Sequence, residues 1–498
     1  VRAAHSMIND LAAGLEQMMG PTQSRLRLLS RAASIYDEID AQGFMTPDLQ
    51  RQTADGNRVL AKTYRTLGDA ANAMRRSTAA VQQARVLVSG PEGNLDDRAL
   101  LASSLVELGD SLQAQGEAAR ATEAYAESSA LSEQIVRDPA ATPSMRMNLS
   151  IVLVRQGDRL YYEGKLDQAE TAYRQSLQLD RETFDLNPND PRRASLYATD
   201  IERLGDVLYA GGQVEQSCAA YREALGVRRR AAELAPDEPA PLQKLALAMQ
   251  NVGWCFEQES RVDEALARYD ESIAIQKRLL SSDPSNVVAA TNLIGGLATR
   301  ASTLMSRGET DDALAAYREA YQIGGSLRES AKAQSSVGAH TAAIAQLFAR
   351  ALIKQNNFQE ASAVLDSSVK TLEELMAQDP PNLDYPRKLA VSLLTQGDLH
   401  CARHRFAEGI ERYQQALEVL EQVVAISGTS EDRQLQAYGH YKLGRGWAQA
   451  TQPERARQSF LEGKQVLTDL RAAGHLSNAS EGFRLYLPQI QQALGEQP

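Results

Sequence analysis

The sequence predicts an all-α fold, a solenoid of antiparallel helix pairs. Three registers predict it. A small residue recurs at Gly109, Gly157, Gly205, Gly253, Ala301, Ala349 and Gly397, each 48 residues after the last, and Gly444 follows after 47. An aromatic keeps the same interval at Tyr125, Tyr173, Tyr221, Tyr269, Tyr317 and Tyr413, with Leu365 in the missing slot and Phe460 closing the run. Prolines at Pro91, Pro139, Pro188, Pro236, Pro284 and Pro380 mark the joints. Self-similarity at such a period is the signature of stacked units, none of which can bury its apolar face alone.

From the N-terminus, residues 1–43 do not follow these registers. Ala3–Met19 and Gln23–Ile39 read as two amphipathic helices parted by Gly20-Pro21, and together they are expected to cap the array. Thr46-Pro47 supplies an N-cap and a first helical residue. Residues 44–470 then read as about nine helical hairpins. In Leu149–Leu186, Ile151, Val154, Leu160 and Tyr161 recur at helical spacing. Glu163-Gly164-Lys165 breaks that helix, and Asp167 is the expected N-cap of its partner. The second helix carries Ala169, Tyr173, Ser176 and Leu177 on one face and stops at Asn187-Pro188, because proline cannot continue it. Gly157 and Ala169 let the two helices approach, and Tyr173 fills the gap beside them. Residues 471–498 close the array, with Phe483, Leu485, Tyr486, Leu487 and Ile490 on a capping helix within Gly482–Leu494.

These residues resemble the tetratricopeptide repeat (TPR) family, and the resemblance implies that the all-α solenoid is a right-handed superhelix. Leu204-Gly205…Gly212…Tyr221…Ala224…Pro236 and Gly157…Gly164…Ala169…Tyr173…Pro188 follow the family's order of glycine, small residue, aromatic, small residue and proline, over roughly 45–470. The interval of 48 exceeds that family's usual ~34, which implies longer helices or a longer joint. The resemblance implies a protein or peptide ligand held by a scaffold, and names no reaction.

A narrower resemblance rests on Ile8, Gly20-Pro21-Thr22, Leu28-Leu29-Ser30-Arg31-Ala32, Tyr36-Asp37 and Tyr64-Arg65-Thr66-Leu67-Gly68-Asp69, with the joint Asp283-Pro284-Ser285-Asn286. This pattern is similar to the segment after the membrane helix in bacterial eukaryotic-like serine/threonine kinases that end in TPR arrays. It implies a ligand-sensing region in signal transduction, on the periplasmic side of the inner membrane, anchored by a span ahead of Val1. The alternative is a free-standing cytoplasmic adaptor that assembles signalling or secretion components. Because the chain begins at Val1, it is expected to be a mature or excised segment.

Composition agrees with helices. Of 498 residues 43% are apolar but only 5% aromatic, so packing rests on Ala, Leu and Val. The net charge of −11 argues against nucleic acid as a partner. No run approaches the ~18 apolar residues of a membrane span. The sequence contains no P-loop, no Gly-x-Ser-x-Gly, no His-Glu-x-x-His, and none of the kinase catalytic motifs. We therefore expect neither an enzyme nor a cofactor in this chain. His400 and His404 could share a helical face as metal ligands do. His400, however, occupies the packing slot of Leu160 and Leu208, and His404 the slot of the turn glycine, so no metal is expected.

Candidate ligand-binding residues come from the position after the small residue, where Asp stands at Asp69, Asp110, Asp158, Asp206 and Asp398. In TPR arrays this position faces the groove, and many peptide-binding relatives carry Asn there with Lys and Arg that clamp a terminal carboxylate. Here the companion positions are Val106, Val154, Glu202, Gln250 and Leu394, so that clamp is missing. The Asp row suits basic or amine-bearing ligands. Equally, each Asp could pair with an Arg or cap a backbone group. Tyr161, Tyr162, Tyr209, Trp254, Met305, Tyr438 and Tyr441 complete the candidate groove, since aromatics anchor interfaces. They also fill gaps between Ala-rich helices. Trp254 stands on the Asp row itself.

Overall fold

Hairpins of near-constant size fill the chain. The computed structural model describes residues 46–66, 69–162, 164–236, 238–284, 286–330, 335–473 and 486–495, with scattered positions between 27 and 38. Among these, eighteen helices of 19–22 residues follow one another from Pro47–Thr66 to Pro453–Ala472, and Leu487–Leu494 comes last. There is no strand among the described residues. The chain is thus an all-α repeat solenoid built of antiparallel pairs. It falls into two compact units, Val1–Pro241 and Leu242–Pro498. Helices pack on their chain neighbours throughout 47–234 in the first unit and 262–472 in the second. Most of the expected N-terminal cap lies outside the described residues, as do Gly68, Phe483 and Leu485.

One device makes nearly every hairpin. A residue with left-handed backbone stands at Gly116, Gly164, Gly212, Ser260, Gly308, Asn356, His404 and Thr451. The next N–H then donates to the carbonyl five residues back, as Lys165 does to Leu160 at 2.8 Å and Arg405 to His400 at 2.9 Å. That bond satisfies a carbonyl the helix end would leave orphaned. It also corrects the reading of Asp167. Lys165 is the N-cap and the helix starts at Leu166, so Asp167 lies in the first turn and caps no N–H. Its carboxylate still favours the positive helix end. Thr46 does act as foreseen, accepting from the Leu49 N–H at 3.3 Å.

The two main sequence registers are a single contact. A Cβ on Gly157 would stand 2.6 Å from Tyr173 Cε1, one on Gly205 2.7 Å from Tyr221 Cε1, and one on Gly444 2.6 Å from Phe460 Cδ1. Gly109 with Tyr125, Gly253 with Tyr269 and Gly397 with Tyr413 repeat the arrangement. In each case the ring lies on bare backbone of the first helix, so the pair closes to a distance that a methyl would forbid. These rings are buried, and each stabilises its pair by about 1.5–3 kcal/mol through area removed from water. Ala349 meets Leu365 instead, within one apolar cluster. Ala169, Ala265, Ala313 and Ala361 are fully buried at the matching point of the second helix.

The ends and the polar core complete the packing. Leu487 and Ile490 sit on Phe460, Leu467 and Leu470. At the other end Leu29 and Ala33 are buried. In the first unit the Arg228 guanidinium is buried, yet it donates to both Glu202 oxygens at 2.9 and 2.6 Å, and to Ser195 and Thr199. Asp180 and Asp200 are less well served. Both are buried, Ser176 Oγ donates to Asp200 at 2.5 Å, and Asp180 has no cation to answer it among the described residues.

Gly157→Ala is expected to lower stability by about 1–3 kcal/mol, the usual range for overpacking. The double variant Gly157→Ala/Tyr173→Leu should recover part of that loss, because Ala349 and Leu365 already form such a pair. Urea midpoints of the two variants test this; additive losses would refute a direct contact.

Burial pushes the Asp180 carboxyl up to about 6, and burial together with the nearby Asp180 charge pushes that of Asp200 well up. The folded state therefore keeps protons that the unfolded chain, titrating near 3.8, has released. Stability from this pair is greatest at low pH and falls as pH rises from about 4 through about 6. Asp180→Asn should flatten that slope between pH 4 and 7 and raise the urea midpoint at pH 7.

Candidate ligand-binding face

The residue after each small residue lies one step along the first helix from the glycine–tyrosine contact, so its side chain meets the tyrosine hydroxyl. Tyr125 donates to Asp110 at 2.7 Å, Tyr173 to Asp158 at 2.8 Å, Tyr221 to Asp206 at 2.7 Å and Tyr413 to Asp398 at 2.8 Å. A cation from the following pair then closes the arrangement. Arg155 donates to both oxygens of Asp110 at 2.9 and 3.2 Å. Arg203 lies 3.1 Å from Asp158, and Lys442 donates to Asp398 at 2.9 and 2.8 Å. Each of these cations stands two residues ahead of the next pair's small residue. Arg65 adds a contact to Asp110 at 3.1 Å. Asp206 has Arg203 of its own helix at 3.5 Å, and burial raises its carboxyl. Of the two readings open in the sequence, these carboxylates take the structural one: their acceptors are spent on tyrosines and cations. Asp69 stands apart. It is the N-cap of Ala70–Ser89, accepting from the Asn72 N–H at 3.1 Å, because the interval between Gly68 and Gly109 is short.

Where the Asp is missing, the tyrosine environment changes with it. Ser302 replaces it opposite Tyr317, the two hydroxyls 2.7 Å apart. Trp254 replaces it opposite Tyr269, whose buried hydroxyl has Glu257 beside it in place of an aspartate. Arg350 and Arg445 replace it where the aromatic slot holds Leu365 and Phe460, which have no hydroxyl to serve. The answering cation goes too, since Leu347 and Thr395 follow Ser302 and Arg350 in that position.

In the second unit Arg350 and Arg445 border a cavity of about 320 Å³. Arg350, Ile353 and Lys354 come from Ser335–Lys354, Asp398, Cys401 and Ala402 from Asp384–Ala402, and Lys442, Arg445 and Gln449 from Ser430–Gln449, with Tyr413 behind. Arg350, Lys354 and Arg445 are exposed, and none is in an ion pair among the described residues. Lys442 Nζ lies 5.2 Å from the Tyr438 ring centre, and the Arg445 guanidinium 5.8 Å from that of Tyr441. Tyr438 stacks on Tyr441 at 6.3 Å and on Tyr486 at 4.7 Å. The Cys401 thiol is free, and burial pushes it up, so it forms a neutral wall. A site of this make-up can hold a ligand by charge and apolar contact.

Of the residues proposed from sequence, the structure brings Asp398, Tyr438 and Tyr441 to this region. Asp110, Asp158 and Asp206 form the ion-paired row of the first unit. Tyr161 packs on the apolar cluster around Tyr173, and Met305 on that around Tyr317. Tyr209 is 48% exposed at the end of Pro191–Ala210, and Trp254 is half-buried. The Tyr162 side chain lies outside the described residues. Sequence reasoning missed Arg350, Lys354, Lys442 and Arg445. The signal was present: reading the residue after every small position, not only the Asp-bearing ones, exposes the charge reversal at Arg350 and Arg445. His404 does carry the left-handed turn in place of glycine, with φ 58°. His400 Nδ1 lies 2.9 Å from Glu408, with its pKa lowered by burial and by Arg405.

No family model and no curated protein matches the sequence. Solved structures do. The apo form of RapI is 12% identical, with a TM-score of 0.54 over 85% of this chain and 99% of that one. The apo form of the quorum sensor NprR from B. thuringiensis is 11% identical, with a TM-score of 0.49 over 83% and 98%. A Rap protein complexed with competence and sporulation factor is 11% identical, with a TM-score of 0.42 over 85% and 99%. At such identities the RapI likeness is one of fold, that of a helical repeat solenoid.

Asp158→Ala should lower stability by about 2–3 kcal/mol, because it strips Tyr173 and Arg203 of one shared charged acceptor. Asp69→Ala should cost about 1 kcal/mol, the loss of one cap. Thermal melts of the two variants test the distinction, and equal shifts would deny Asp158 its bridging role.

Proposed function

We propose that this chain is a non-catalytic scaffold that binds a peptide or an extended protein segment along the first helices of its second unit. One observation carries the reading. Polar groups on the equivalent row of the first unit are consumed by one another, whereas in the second unit Arg350, Lys354 and Arg445 border a cavity, exposed and in no ion pair among the described residues, with the stacked Tyr438 and Tyr441 beside Lys442 and Arg445. A ligand that touches first helices of adjacent pairs stabilises their stacking, since neighbour contacts are what hold a repeat array together. It also favours whichever state of an attached domain goes with the stiffer array.

In its finer form the proposal makes this array the ligand-sensing region of a bacterial serine/threonine kinase, on the periplasmic side of the inner membrane. The N-terminal residues that support this lie mostly outside the described ones. No helix among the described residues is long and apolar enough to cross a membrane, so anchoring would fall to a span ahead of Val1.

Selection of linear peptides from a random library on the full chain tests the scaffold. Selected peptides should raise the melting temperature in proportion to the logarithm of their concentration. They should also slow amide exchange in Ser335–Lys354, Asp384–Ala402 and Ser430–Gln449 more than in the second helices. Protection confined to second helices would overturn the reading. For the sensor form, the coding sequence ahead of Val1 should hold a kinase domain and an apolar span of about 20 residues. A start codon immediately before Val1 would favour the cytoplasmic adaptor instead.

A further inference from the structure

We infer that the cavity bounded by Arg350, Lys354, Lys442 and Arg445 receives side-chain carboxylates of an acidic peptide segment. The inference rests on the scaffold reading and adds the chemistry of its ligand. In a chain of net charge −11, four cationic side chains here face one carboxylate, Asp398. Asp398 is already engaged by Lys442 and by the Tyr413 hydroxyl. The surplus positive charge at Arg350, Lys354 and Arg445 therefore has no counterpart within the described residues. Like charges gathered around one cavity repel, and an incoming anion relieves that repulsion.

Packing does not require these cations. The row they occupy exists to hold a tyrosine hydroxyl, and their own pairs have Leu365 and Phe460 in the tyrosine slot. Helix polarity does not require them either. Arg350 and Arg445 lie near the C-terminal ends of their helices, where cations are favoured. Asp110, Asp158, Asp206 and Asp398 lie at the same point of theirs, so the macrodipole does not set the charge of this row. With both explanations removed, recognition is what distinguishes Arg350 and Arg445 from their counterparts.

The anion is a set of carboxylates and not a phosphate group. Helix N-termini, which offer backbone N–H groups to phosphate, do not border this cavity, which lies at the last turns of three first helices; arginine side chains grip carboxylate and phosphate alike, so the spacing of the donors decides. These are side chains on separate helices, some 10 Å apart between neighbouring axes. That spacing suits several charges along an extended chain better than one compact dianion. Arg350 and Arg445 can each grip a carboxylate with two parallel hydrogen bonds. The Tyr438–Tyr441 stack beside them offers apolar surface to the intervening peptide.

The test uses the full chain and a short fluorescent Glu-rich peptide, N-acetylated and C-amidated so that only side-chain carboxylates are present. Anisotropy should show binding that weakens as ionic strength rises, and a matched Gln peptide should not bind. Arg350→Glu with Arg445→Glu should weaken binding about tenfold or more, as reversal of a charge pair does. Arg85→Glu, in the first unit and paired with Glu127, should leave it unchanged. Should the charge reversal disturb the fold, Arg350→Gln with Arg445→Gln gives the same reading with a smaller effect. Equal binding of the Gln peptide overturns the inference. So does unaltered affinity in the arginine variants, or displacement by inorganic phosphate at concentrations where free glutamate is without effect. If the Glu peptide fails while library-selected peptides still protect the first helices, the scaffold stands and only its acidic ligand is lost.

Discussion

A tyrosine ring laid on a glycine is the contact on which the rest of the array depends. Absence of a Cβ at Gly157 lets the ring of Tyr173 touch backbone, and that closeness carries its hydroxyl to Asp158. The carboxylate, drawn into a half-buried position, needs a cation, and Arg203 of the following pair supplies it. Intra-pair packing and inter-pair registry are thus joined through three side chains. A charge-assisted hydrogen bond in such surroundings is stronger than one in water. This explains why polar residues persist in a stack that apolar burial alone could hold.

The fold was legible because its determinants are periodic. Three registers over many repeats leave little freedom in helix number or pairing, and the turn positions of Gly164, Gly212 and His404 could be read from the same interval. The start of a second helix was less legible: Asp167 looks like a cap, but the bond from Lys165 to Leu160 decides the boundary, and that bond has no side-chain signature. The proposed binding face was the least legible. Its candidates were sought as the common residue of a row, Asp, and a common residue in a repeat serves the repeat. Arg350, Lys354 and Arg445 depart from the pattern, and such departures mark where one part of a uniform scaffold does something the others do not.

The same contrast separates the two units. In the first, Asp110, Asp158 and Arg228 sit in self-contained networks, and buried acids at Asp180 and Asp200 make stability depend on pH. In the second, the corresponding row runs through Trp254, Ser302, Arg350, Asp398 and Arg445, no two neighbours alike. Uniformity suits a spacer, and diversity suits a surface that must discriminate.

The link from Asp of one pair to a cation of the next has a consequence for how such a chain can have grown. Copying a segment of the common length preserves Tyr and Asp together, since both lie inside it. The cation that answers the Asp belongs to the following copy. A duplicated or transposed unit therefore arrives with an acceptor and depends on its new neighbour for the donor. The order of the units is consequently inherited as a sentence is, each word agreeing with the next, and rearrangement is penalised at the seam even when every unit is intact.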